Sequence, residues 1–280
     1  MFSDSRSDEL EATARELRYH IVRMMGPDKT HHFGGSLSIV ELITALYFYK
    51  MRYRPSDPYW DGRDRFVMSK GHAVPTQYVA LAKLGVLPME DLVTLKRLGS
   101  ILQGHPNACM TPGLEACTGS LGQGLSFANG IAMAARIRHL DIRVYCLLGD
   151  GELQEGQIWE AAMGSTTHKL DNLCAMVDRN GLKSQGVVDE AKLLEPLVQK
   201  WEAFGWHAVT VDGHDLRQIC NALDEAEAVK GKPTMIVAET VKGKGVPFME
   251  GQFQFHNAPI TKEQWAEAMS ILAPNAEVSG

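Results

Sequence analysis

Two stretches decide the fold: Val144-Tyr145-Cys146-Leu147-Leu148-Gly149-Asp150-Gly151 and Leu173-Cys174-Ala175-Met176-Val177-Asp178-Arg179-Asn180-Gly181. Each is a short apolar run, Val144–Leu148 and Leu173–Val177, closed by a hard oxygen donor and glycine. Apolar runs of this length read as strands covered on both faces. Asp150 and Asn180, thirty residues apart, then stand at strand carboxyl ends, where open α/β sheets collect ligands. A carboxylate and a carboxamide suit a hard cation such as Mg²⁺, which binds oxygen and often holds a phosphate group too. The glycines beside Asp150 let backbone approach a phosphate. Taken singly, Gly-Asp-Gly and Asn-Gly also read as turns. As a spaced pair, each behind its own strand, they read as a binding site.

Working outward, the pattern alternates. Helix Ile158–Thr166 lies between the two strands, and helix Ala191–Phe204, strand Ala208–Val211, helix Leu216–Val229 and strand Thr234–Glu239 follow. This predicts an α/β fold, a mostly parallel sheet with helices on both faces. Right-handed crossovers gather the strand-end loops on one edge. Upstream, Leu10, Leu17, Ile21 and Met24 recur at helical spacing in a helix over Ser7–Met25. Ser36 can cap a second helix, Leu37–Tyr49. A short strand Phe66–Met68, a helix from about Pro75 to Leu84, a loop-rich Gly104–Gly124 and a small-residue helix to about His139 come next. A helix around Lys262–Leu272 ends the pattern. One domain over residues 1–280 is expected, with its core at about 8–272 and a loose tail at 273–280.

The 280 residues carry a net charge of −6 and no long basic run, so nucleic acid is not an expected partner. No window is apolar for long enough to span a membrane. The start, Met1-Phe2-Ser3-Asp4-Ser5-Arg6, lacks the apolar core of a signal peptide. Five cysteines form no C-x-x-C pair, which fits a reducing cytoplasm. Cys146 and Cys174 read as packing residues.

Four loop histidines have glycine or proline close by: His32, His72, His105 and His256. Each alone could serve packing or function. Together with the oxygen pair they point to a site that donates hydrogen bonds to hydroxyls or to a developing oxyanion. His20 and His139 fall on helices; His168, His207 and His214 lie near turns or strand ends and carry weaker signals. Thr118-Gly119-Ser120-Leu121-Gly122-Gln123-Gly124 offers backbone amides at a helix start, as a phosphate loop does, without a Walker lysine. Glu152, Glu155 and Glu160 either favour a helix N-terminus or serve the site. Lys242-Gly243-Lys244-Gly245 reads equally as a phosphate-facing or a solvated loop.

Asp150-Gly-Glu-Leu-Gln-Glu155-Gly followed by Asp178-Arg-Asn180-Gly resembles the thiamine-diphosphate motif. Ser69-Lys-Gly-His72, Gly104-His105-Pro106, Thr118 to Gly124, Phe204-Gly-Trp-His-Ala, Val211-Asp-Gly-His-Asp215, Lys242 to Gly245 and His256-Asn-Ala-Pro259 narrow the resemblance to transketolases. It runs from about Arg18 to Leu272. The resemblance implies a thiamine-diphosphate-binding fold and the N-terminal subunit of a split transketolase.

On that resemblance, Asp150, Asn180 and the Leu182 carbonyl bind the cation, Mg²⁺ or else Ca²⁺ or Mn²⁺. Gly151 and His72 approach the diphosphate, and Gly119 and Leu121 meet the aminopyrimidine through their backbone. Glu155, with Glu160, sits near the subunit contact. His32, His105 and His256 line the substrate channel, where His32 and His256 donate to the developing oxyanion and His105 holds the donor's terminal hydroxyl. Ketol transfer from a ketose, expected to be phosphorylated, to an aldose then needs a complementary subunit that supplies the activating glutamate, in an α₂β₂ heterotetramer. The rival expectations are the α-chain of a 2-oxoacid dehydrogenase, a deoxyxylulose-phosphate synthase fragment and a cofactor-binding accessory subunit. Two departures stand out. His31-His32-Phe33-Gly34 replaces the usual Gly-His-Pro-Gly, and Arg179 adds a positive charge beside the cation ligands.

Overall fold

In a computed structural model the chain is described from Asp4 to Ala273; the expected tail therefore lies almost wholly outside the described residues. Helix α1 (Asp4–Met25) buries Leu10, Leu17, Ile21 and Met24, the stripe that its sequence spacing specifies. The next segment departs from expectation. In place of one helix over Leu37–Tyr49 there are two short ones, α2 (Phe33–Leu37) and α3 (Val40–Ala45), and a wider π turn at Leu46–Lys50. All eleven residues of α2 and α3 are buried, so no polar face marks where a helix must end. Ser36 is not a cap. It lies inside α2, and its hydroxyl donates to the His32 carbonyl at 2.8 Å.

Strand β1 (Arg65–Met68) leads through a tight turn into α4 (Val74–Lys83), which has Pro75 in its first turn. After the long loop come α5 (Gly124–Ile137), β2 (Val144–Gly149), α6 (Gly156–Thr167) and β3 (Leu173–Arg179). A small antiparallel hairpin, β4 (Leu182–Lys183) with β5 (Gly186–Val187), precedes α7 (Val188–Ala191) and α8 (Leu197–Ala203). The helix expected over Ala191–Phe204 thus starts only at Leu197. Pro196, which follows a cis peptide bond, has no amide to give a helix interior. Then come β6 (His207–Asp212), α9 (Leu216–Ala228), β7 (Thr234–Glu239) and α10 (Lys262–Ile271).

The five main strands form a parallel sheet in the order β1-β2-β3-β7-β6. Alternation along each strand divides the core into two layers. Tyr145, Leu147, Cys174, Met176 and Ile236 pack on one face with residues of α1, α3, α4 and α9. Val144, Cys146, Leu148, Ala175 and Val237 pack on the other with Leu125, Ile158, Ala162 and Trp201. Both faces are covered, as parallel strands require. Cys146 and Cys174 are buried free thiols within these layers. Among the described residues no helix is long and apolar enough to cross a membrane.

Candidate active site

Neighbouring strands β2 and β3 pair with Gly149 opposite Asp178, so their carboxyl-end loops leave side by side. Asp150 follows β2 at once and is buried. Its Oδ1 accepts from the Gly151 amide at 2.7 Å and its Oδ2 from the Gly181 amide at 2.6 Å. Burial, then the like charge of Asp178, pushes the Asp150 carboxyl up to about 6, against the pull of those amides. Asn180 donates through Nδ2 to Asp178 at 2.8 Å. That bond orients its amide, and Oδ1 accepts from the Leu182 amide at 3.1 Å.

Asp178 has no exposed surface. Burial alone would raise its pKa; the buried Lys70 ammonium and the hydroxyls of Thr240 and Ser38 outweigh it and hold the carboxyl below its ordinary value. Arg179, the departure noted in the sequence, lies 3.6 Å from Asp150 and also pairs with Asp189 at 2.5 Å and Glu195 at 3.2 Å. It brings positive charge to the back of the cleft while tethering the segment after β5.

The four loop histidines converge. Ring centroids of His32 lie 5.0 Å from His72, 6.0 Å from His105 and 5.6 Å from His256, and His72 lies 5.1 Å from His256. Burial, reinforced by neighbouring positive groups, lowers every one of them: His32 to about 4, His256 to about 3, His72 strongly and His105 as well. At neutral pH the cluster is uncharged, so each ring carries one N–H to donate. His31, whose role the sequence left open, points elsewhere. Its backbone pairs with Ala258 in both directions, at 3.3 and 3.2 Å, which ties the His32 loop to the His256 loop.

A cleft of about 280 Å³ is lined by Asp150, Gly151, Asn180, Leu182, Glu155, Leu121, His72 and His256. Gly119 lies just outside this lining and abuts His105: at φ +138° it has no room for a Cβ, which would sit 2.8 Å from the ring. Every residue given a role through the family resemblance thus falls at the cleft or in the adjoining histidine cluster, except Glu160, which is exposed on α6.

Sequence reasoning assigned Lys70 no role of its own and left those of Glu152 and Lys242 open. Glu152 is buried and accepts from Ser69 Oγ at 2.5 Å and from the amides of Gly122 and Gly149 at 2.9 and 3.0 Å, clasping three loops together. Lys70 is the buried partner of Asp178. Lys242 is buried, not solvated, and its Nζ donates to the Leu182 carbonyl at 3.0 Å and contacts His256 Nδ1 at 3.2 Å. Burial, then the charge of Lys70, brings its ammonium down to about 8. The one available signal was position: Lys70 follows β1 much as Asp150 follows β2.

Among the described residues no three His, Cys, Asp or Glu side chains group as a metal site. At the cleft Asp150 offers a carboxylate, Asn180 a carboxamide and Leu182 its carbonyl, a set that fits a hard cation completing its shell with phosphate oxygens and water. The Leu182 carbonyl faces the cleft, where it accepts from the Lys242 ammonium.

Fold and donor set together mark an α/β protein whose parallel sheet presents a polar ligand cleft at its carboxyl edge. Comparison with known proteins narrows the class. Residues 9–278 match the family described as transketolase, thiamine diphosphate binding domain. The chain is 45% identical over 264 residues to the 6-deoxy-6-sulfo-D-fructose transketolase subunit of Clostridium sp. (strain MSTE9), covering 94% of this chain and 96% of that one. It is 42% identical over 270 residues to an apulose-4-phosphate transketolase subunit of Phocaeicola vulgatus, with 96% of both chains covered. The solved transketolase of Campylobacter jejuni superposes with a TM-score of 0.89 at 34% identity, over 96% of this chain and 43% of that one. That of Leishmania mexicana gives 0.86 at 33%, over 96% and 42%. The chain therefore spans about two fifths of those solved enzymes. It belongs to the transketolase family and corresponds to its thiamine-diphosphate-binding domain.

Proposed function

We propose that this chain is the diphosphate-holding subunit of a two-chain transketolase, a transferase that moves a two-carbon ketol unit from a ketose to an aldose. The observation that carries this reading is the four-histidine cluster set against a cleft edged by Asp150, Asn180 and Leu182. Asp150, Asn180 and the Leu182 carbonyl would hold Mg²⁺, with Ca²⁺ or Mn²⁺ able to replace it. His72, Gly119, Leu121, Gly151, Glu155, Asn180 and His256 would hold thiamine diphosphate. When bound, that cofactor supplies the carbanion chemistry that cleaves and remakes the carbon–carbon bond.

The chain's own part is to orient and to donate. Because the cluster is neutral near pH 7, His32 and His256 can each present one N–H to negative charge that develops on a substrate oxygen. His105, next to Gly119, would hold the donor's terminal hydroxyl. The two relatives of matching length are named for a sulfo-sugar and a sugar phosphate, which supports a ketose bearing an acidic group. Both are named as subunits, which supports a complementary chain carrying the activating glutamate. An α₂β₂ assembly in the cytoplasm is the arrangement we propose.

The test is reconstitution. The purified chain, a complementary transketolase subunit, thiamine diphosphate and Mg²⁺ together should transfer a ketol unit from a sulfonated or phosphorylated ketose to an aldose. Either protein alone should do nothing. Full activity from this chain by itself would refute the two-chain reading.

A further inference from the structure

Lys242 reaches the cleft from the turn after β7, and that turn is held from behind by a buried polar relay. The Val241 amide donates to His214 Nε2 at 2.8 Å. An accepting Nε2 places the imidazole proton on Nδ1, which faces Glu41 Oε2 at 3.0 Å. Glu41 in turn takes two contacts from the Arg18 guanidinium, at 2.5 and 2.6 Å. Arg18 Nε then returns to the same turn, donating to the Lys244 carbonyl at 3.1 Å. The relay therefore grips both flanks of Lys242. A third tie, Gly243 amide to Gly34 carbonyl at 3.0 Å, joins the turn to the His32 loop.

Arg18 and Glu41 are each less than a tenth exposed. Desolvating an ion pair is costly, and a hydrophobic pair is often as stable. Stability alone therefore does not account for this pair, which lies on α1 and α3, far along the chain from the turn it holds. We infer that His214, oriented by Glu41 and Arg18, is a positioning residue that sets Lys242 at the phosphate-binding end of the cleft. The inference rests on the reading of that cleft as the diphosphate site.

Calorimetric titration of the full chain with thiamine diphosphate and Mg²⁺ tests it, with circular dichroism confirming the fold of each variant. Losing one hydrogen bond to a positioned group is worth about 1–1.5 kcal/mol, so His214→Ala should weaken binding about tenfold. His214→Gln, which keeps an acceptor and a donor, should recover most of the loss. Lys242→Met should weaken binding at least as much, and the double variant His214→Ala/Lys242→Met should bind no more weakly than Lys242→Met alone. Glu41→Gln provides a second perturbation should His214→Ala fail to fold, with the same non-additivity expected. Losses that multiply, or a folded His214→Ala that binds like the wild type, would overturn the inference and leave the site reading intact. A wild-type chain that does not bind the pair at all would overturn both.

Discussion

The Gly181 amide donates to the Asp150 carboxylate across 2.6 Å, so the loop after β3 hangs on the loop after β2. One carboxylate therefore shapes the cleft and offers the cleft its hardest oxygen. Asp150→Ala should remove both. A hydrogen bond to a charged group contributes about 1.5–3 kcal/mol, so Mg²⁺-dependent binding of thiamine diphosphate should weaken by about 10- to 100-fold. Calorimetry with and without Mg²⁺ checks this, and an unchanged Mg²⁺ dependence would refute the assignment.

The histidine cluster predicts an acid limit to stability. His32 and His256 have folded values near 4 and 3, below the ordinary 6.5. Protons thus bind the unfolded chain more readily, and the histidines' contribution is intact above pH 6.5 and lost as pH falls toward 4. Melting temperature should drop across that window, and His72→Asn should flatten the drop. A melting curve independent of pH from 7 to 4 would contradict the cluster's burial.

Lys70 and Asp178 form a fully buried ion pair at the foot of the site. Removing one partner strands the other charge, typically at about 3–5 kcal/mol. Lys70→Met should therefore destabilise strongly in denaturant unfolding. Lys70→Met/Asp178→Asn should recover part of the loss, because no bare charge remains.

Gly71 touches the Thr118–Gly119 backbone so closely that a Cβ there would lie 2.8 Å from the Gly119 nitrogen. Backbone cannot swing aside as a side chain can. Gly71→Ala should cost about 1–3 kcal/mol of stability by thermal unfolding. It should also weaken cofactor binding, because Gly119 would be pushed onto His105.

The sheet was legible because β2, β3 and β7 each carry a continuous apolar run, and such a run inside an alternating pattern has one ready reading. Asp150 and Asn180 were legible for the same reason, since a strand's end marks where its next polar residue points. The segment from Phe33 to Lys50 was not, because burial on every side removes the periodicity that locates helix ends. Pro196 was in plain view and should have shortened α8. The roles of Glu152, Lys242 and His214 stayed open for another reason. Each acts by joining loops that lie from 27 to 173 residues away in sequence, and no local spacing records such meetings.

The central claim is that Asp150, Asn180 and the Leu182 carbonyl form the cation's place at the diphosphate. A crystal structure of the chain with thiamine diphosphate and Mn²⁺, read at the manganese absorption edge, tests it most directly. The account predicts one anomalous peak about 2.0–2.3 Å from all three oxygens, with Lys242 turned from the Leu182 carbonyl to a diphosphate oxygen. A peak elsewhere, or a diphosphate bound without manganese at Asp150, would contradict it.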